Sequence, residues 1–179
     1  MKDKSYRVAL GGIVSALCLV TMFLAGIVSP LYIVLPLIAG VLLLIIVEEV
    51  SISWAMVTYV SVSLLSLFIT ADKEAALLFI MLFGHYPMLR FFLQKIRFGP
   101  LRLLLKQTVF NGCAVSFFYV TVYIFGIKQM IEDMNDFGRY GAIALLVVCN
   151  VIFLLYDFNL DVVYKVYIKR IMPRFKRKR

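Results

Sequence analysis

Asp72-Lys-Glu-Ala-Ala-Leu-Leu-Phe-Ile-Met-Leu-Phe-Gly-His-Tyr-Pro87 lies between long apolar runs, and the placement of its three leading charges decides the fold. Each of Asp72, Lys73 and Glu74 would cost roughly 2.5–3.5 kcal/mol at mid-bilayer. The triplet therefore marks a membrane surface, and the run after it enters the bilayer. His85, the only histidine in the chain, follows Glu74 by about three helical turns, which predicts both on one helix face with the imidazole near mid-membrane. Gly84 before it and Pro87 after it predict a local break whose freed carbonyls face a cavity. The alternative is a bend in a packed helix, with His85 bonded to a neighbouring helix.

Outward from this stretch the chain is apolar almost throughout. It has 179 residues, 63% hydrophobic and 16% charged, and a mean hydropathy of +0.97, outside the range of a soluble globular domain. Runs near 8–28, 31–47, 52–70, 75–94, 104–126 and 140–160 each approach the ~20 residues that a membrane span needs. The expected fold is thus an all-α integral membrane protein: one compact bundle of six transmembrane helices over 1–179, N and C termini cytoplasmic, with a basic tail at 165–179. The first run exceeds a signal-peptide core and is kept as a span. The second is the shortest and holds Pro36 and Gly40, which predicts a kinked, tilted or partly unwound helix.

Charge sets the orientation. All of the 19 Lys and Arg except Lys73, Lys128 and Arg139 fall on one side of this arrangement, the cytoplasmic side by the positive-inside rule. The net charge of +9 is concentrated beside apolar runs, so anionic lipid is the expected partner of the basic residues and nucleic acid is not. Gln94–Lys106, broken at Gly99-Pro100, is expected along the inner membrane surface. Glu48 and Glu49 have either those bases or a cytoplasmic partner to meet. Asp157 and Asp161 are expected to pair with Lys165, Lys169 and Arg170, and Arg174–Arg179 to anchor on lipid. Cys18, Cys113 and Cys149 lie in apolar runs as small hydrophobes, without metal-ligand spacing.

Two polar stripes follow helical spacing. Tyr59, Ser63, Ser66 and Thr70 run along the third span towards Asp72, and Gly112, Ser116, Tyr119 and Tyr123 run along the fifth. With His85 they describe a pocket opening outward; the alternative is that the hydroxyls bond their own or neighbouring helices in closed packing. Met130, Ile131, Met134 and Phe137 have the spacing of a short amphipathic helix, either a lid over the bundle mouth or a segment lying on lipid. In the first span Gly11 with Ser15, and Gly12 with Ala16, are small residues four apart that let another helix approach closely, within the chain or from a partner.

Catalytic chemistry is sparse. A single histidine cannot supply a multi-histidine metal site, and neither a nucleophile elbow nor a nucleotide-binding loop occurs. No catalytic residue, metal or cofactor is assigned, and the chain is not read as an enzyme. Binding, transport or scaffolding remains.

In length, span number, the basic Arg7-Val-Ala-Leu start and the small residues of the first span, the chain resembles the substrate-binding S components of energy-coupling factor (ECF) importers. In that family an Ala-x-x-x-Ala pattern faces the coupling protein; Gly12-x-x-x-Ala16 occupies the matching place, with glycine for the first alanine. The resemblance implies a bacterial cytoplasmic (plasma) membrane protein that captures a vitamin-like small molecule from outside. Its partners would be an ECF transmembrane coupling protein and ATPase subunits. It directs attention to Asp72, Lys73, Glu74, His85, Tyr119 and Tyr123, joined by Ser63 and Ser66 from the polar stripe, as substrate-binding positions, and to Gly11, Gly12, Ser15 and Ala16 for coupling. The alternative is a non-transporting scaffold like the rod-shape protein MreD, with the basic inner surface near Arg97 and Arg102 as its working face.

Overall fold

Long apolar runs punctuated by capping residues produce helices throughout. The computed structural model describes residues 4–127, 131, 140–167 and 169. Six helices follow in order: α1 Lys4–Ala25, α2 Val34–Glu49, α3 Ile52–Ile69, α4 Lys73–Leu93, α5 Gly99–Ile124 and α6 Gly141–Val166. Among the described residues there is no strand. All except α2 are long and apolar enough to cross a membrane. Large apolar side chains such as Val57, Phe68 and Ile143 project outward from the bundle, a surface that lipid tolerates and water does not. The molecule is a multi-pass membrane protein.

Local signals set the boundaries. The Ser51 hydroxyl accepts from the Trp54 amide to start α3. Asp72 accepts from the amides of Glu74 and Ala75 at 2.9 and 3.2 Å to start α4. Lys73 reaches back, donating to the carbonyls of Leu67 and Thr70 at 2.8 and 2.9 Å, so two charges of the triplet close one helix and open the next.

α2 differs from expectation. Pro36 lies in its first turn, where a missing N–H costs nothing, and the 16-residue helix continues past it without a break. The helix spans about 24 Å and is shielded from lipid by its neighbours: it packs on α1, α3, α4 and α6. Two cores meet on it. Val14, Cys18, Met22, Leu43, Val62 and Phe79 pack on one side, and Leu44, Phe83, Tyr86, Phe110, Phe153 and Tyr156 on the other. α4 contributes to both and is the most enclosed of the long helices.

α5 also differs. Rather than lying along the surface, 99–106 forms its first two turns, with Pro100 at the start. This places Lys106 inside the bundle.

Candidate functional site

The centre of α4 changes winding. From Phe79 to Phe83 the helix takes a π turn, closed by the Gly84 amide donating to the Phe79 carbonyl at 2.7 Å, and α-helix resumes at Tyr86 with Pro87 in its first turn. Carbonyls exposed by the break are met by tyrosines: Tyr59 of α3 donates to Ile80 at 2.6 Å, and Tyr156 of α6 to Phe83 at 2.9 Å. A Cβ at Gly84 would lie 2.8 Å from both the Phe79 carbonyl oxygen and the Tyr59 ring. A Cβ on Gly40 of α2 would lie 2.5 Å from the Tyr156 hydroxyl and 2.7 Å from the Phe83 carbonyl oxygen. Three helices, α2, α3 and α6, therefore close on this turn of α4, and the predicted break is filled by packing.

One turn further along, the basic end holds a buried charge network. Asp157 of α6 accepts from Lys106 Nζ at 2.6 and 2.8 Å and from the Tyr86 hydroxyl at 2.6 Å, with Arg90 Nε at 3.5 Å. Arg90 also pairs with Asp161, and its side chain is 3% exposed. The aspartates thus bond to Arg90 of α4 and Lys106 of α5 rather than to Lys165 and Lys169 as expected, and Arg170 lies outside the described residues. Nearer mid-membrane, Asn111 and Asn150 exchange amide hydrogen bonds at 3.0 and 3.2 Å, and Gln107 donates to Asn150. Glu49 meets the hydroxyls of Tyr6 and Tyr167, within the bundle rather than on the basic loop. Arg90 and Lys106 had a sequence signal: both fall inside apolar runs, where charge demands a partner.

Towards the opposite end α5 and α6 both line a cavity. It has a volume of about 370 Å³ and is backed by α4 and by Tyr32 and Ile33 of the turn before α2. Its walls are apolar, including Ala114, Phe118, Leu146 and Cys149; Tyr32 adds a phenol, and among the described residues Glu74 is the one charged side chain on its lining.

Of the predicted substrate positions only Glu74 reaches this cavity. Asp72 and Lys73 serve as helix caps. The π turn adds a residue to the α4 spiral and rotates everything beyond it by about 100°, so His85 leaves the face of Glu74, Leu78 and Leu82. Its ring lies edge-on to Tyr59, and its Nε2 is 3.7 Å from Cys113 Sγ. Ser63 and Ser66 are buried, Ser66 donating to the Ser63 carbonyl. Tyr119 and Tyr123 stack on each other on the outer surface of α5, 57% and 73% exposed. The two polar stripes therefore do not face one another: that of α3 packs inward, that of α5 outward. Gly11 packs towards Thr58 of α3, Ser15 is half-buried, and Gly12 and Ala16 are exposed with no atom within 4 Å of a Cβ on Gly12. The expected lid over Met130, Met134 and Phe137 and the tail from Arg174 lie outside the described residues. Among the described residues no three His, Cys, Asp or Glu side chains gather as a metal site.

Fold, apolar exterior and a lined cavity define a multi-pass helical membrane protein with room for a small molecule at one end. Comparison with protein-family models, curated proteins and solved structures gives no match.

Proposed function

We propose that this chain is the substrate-capture subunit of an ECF-type importer in a bacterial cytoplasmic membrane, holding a small molecule near the outer surface while a partner ATPase module drives release. The observation that carries this is the cavity walled by α4, α5, α6 and the turn before α2, at the end opposite the basic residues and of a size suited to a small metabolite. The open Gly12 and Ala16 face of α1 supports a helical coupling partner, because small residues permit close approach in lipid.

Native mass spectrometry of the protein gently extracted from its own membrane tests this. A near-stoichiometric small molecule is expected, lost in Ala114→Trp, which fills the cavity. Gly12→Leu should retain that molecule and lose co-purification with ATPase subunits. A second reading, a membrane scaffold, is favoured by the inward packing of the α3 stripe: Tyr59, Ser63 and Ser66 are engaged in or buried by helix contacts. Extraction with lipid and other proteins alone would select it.

A further inference from the structure

The π turn of α4 sets the chain's only histidine against a thiol. His85 of α4 and Cys113 of α5 each lie within two residues of the midpoint of their helix, Lys73–Leu93 and Gly99–Ile124. The imidazole Nε2 is 3.7 Å from the Cys113 Sγ, and neither residue lines the cavity. Tyr59 fixes the neighbourhood of the ring: it lies edge-on to the imidazole at 6.5 Å, is anchored on the Ile80 carbonyl, and would be struck by a side chain at Gly84. Both members of the pair are half-buried, so the pair is reachable rather than sealed in the core. Single π turns inside α-helices recur at functional sites, and a regular helix would have kept His85 on the face of Glu74.

We infer that His85 and Cys113 form a two-ligand site for a soft monovalent cation of the Cu(I) class. A thiolate sulfur with an imidazole nitrogen is a soft donor set that suits Cu(I). Bonds of roughly 2.3 Å to sulfur and 2.0 Å to nitrogen, the lengths at d10 zinc, span the observed separation at a metal angle of roughly 120°, which leaves one side of the ion open for exchange. Binding breaks the S–H bond: the proton leaves to water, the sulfur lone pair bonds the ion, and the neutral imidazole donates through Nε2. The loaded site is then uncharged, because one thiolate balances one monovalent ion. Zn(II) would leave a net positive charge at mid-bilayer, which is costly, and takes four ligands. Among the described residues no third His, Cys, Asp or Glu joins the pair. The site goes beyond the capture reading and does not depend on it.

Anaerobic titration of the full chain in micelles with Cu(I), against bicinchoninate as competing chelator, tests this. One ion per chain is expected, with release of one proton. Cys113→Ser, nearly the same size, should lose the ion. His85→Ala should weaken binding at least tenfold, and His85→Met, which supplies another soft donor, should restore most of it. Cys149→Ser should bind as the unaltered chain does; Cys18 is fully buried and stays in place. Zn(II) in tenfold excess should not displace the copper. Retention of copper by Cys113→Ser, unweakened binding by His85→Ala, or displacement by Zn(II) would each overturn the assignment. X-ray absorption of the copper-loaded unaltered chain needs no variant: a first shell of sulfur and nitrogen is expected, and a shell of sulfur alone would exclude His85. A pair that serves packing only would leave the unaltered chain without copper and lower the unfolding midpoint of Cys113→Ser, which also overturns the site.

Discussion

Asp157 is the residue on which the interior charges depend. Two cations, Lys106 and Arg90, and the Tyr86 hydroxyl converge on its carboxylate from α5 and α4, and removing one partner of a buried pair leaves the other uncompensated. Asp157→Ala is expected to destabilise the protein by about 3–5 kcal/mol, read as a fall in unfolding midpoint in mild detergent. Replacing the Lys106–Asp157 pair together by Met and Leu should cost much less than the single change, because neither charge is then stranded. A second contrast separates two glycines of similar sequence context. Gly40→Ala forces a methyl group against the Phe83 carbonyl and the Tyr156 hydroxyl and should cost about 1–3 kcal/mol. Gly12→Ala meets open space and should leave the unfolding midpoint within experimental error. That Gly84 and Pro87 marked a break was legible in the sequence; that Gly40, two helices away in the chain, is the counterpart closing it was not, since the pairing depends on packing alone.

At the scale of the element, α4 shows how one local change redirects a whole face. Its π turn leaves carbonyls that need donors, and Tyr59 and Tyr156 supply them from two other helices. Tyr59→Phe and Tyr156→Phe should each cost on the order of 1 kcal/mol. Hydrogen exchange should rise at the amides of 79–86, with little change in α1. The π turn also accounts for His85. Its spacing from Glu74 predicts a shared face on a regular helix, but an inserted residue turns the imidazole towards Tyr59 and Cys113. Winding of this kind arises from the partners available around a helix, so hydrophobic periodicity read along one segment does not contain it. For the same reason the α3 and α5 stripes were legible as stripes, while the inward direction of one and the outward direction of the other depended on the neighbours each helix meets.

The whole molecule is polarised. Arg90, Arg97, Arg102 and Lys106 gather at one end with the start of α1 and the end of α6, and Asp72 and Glu74 stand at the other, beside the cavity. The positive-inside rule assigns the basic end to the cytoplasm. In a background lacking Cys113 and Cys149, Ala71→Cys is expected to react with a membrane-impermeant maleimide in intact cells, and Arg97→Cys only after permeabilisation. Labelling in the reverse order would invert the orientation and place the cavity on the cytoplasmic side. Cys18 is retained because it is fully buried.

Sequence by itself determined the membrane class, the helix count and the polarity of the ends, because each follows from transfer energies summed over ~20 residues and so from local composition. Tertiary structure alone decided which polar groups meet. It joined Asp157 to Lys106 and Arg90, turned His85 away from Glu74, carried Tyr119 and Tyr123 to the exterior, and left Glu74 on the lining of a cavity. Those outcomes depend on helix rotation and on the partners that satisfy buried charges and carbonyls, quantities set between helices rather than along any one of them.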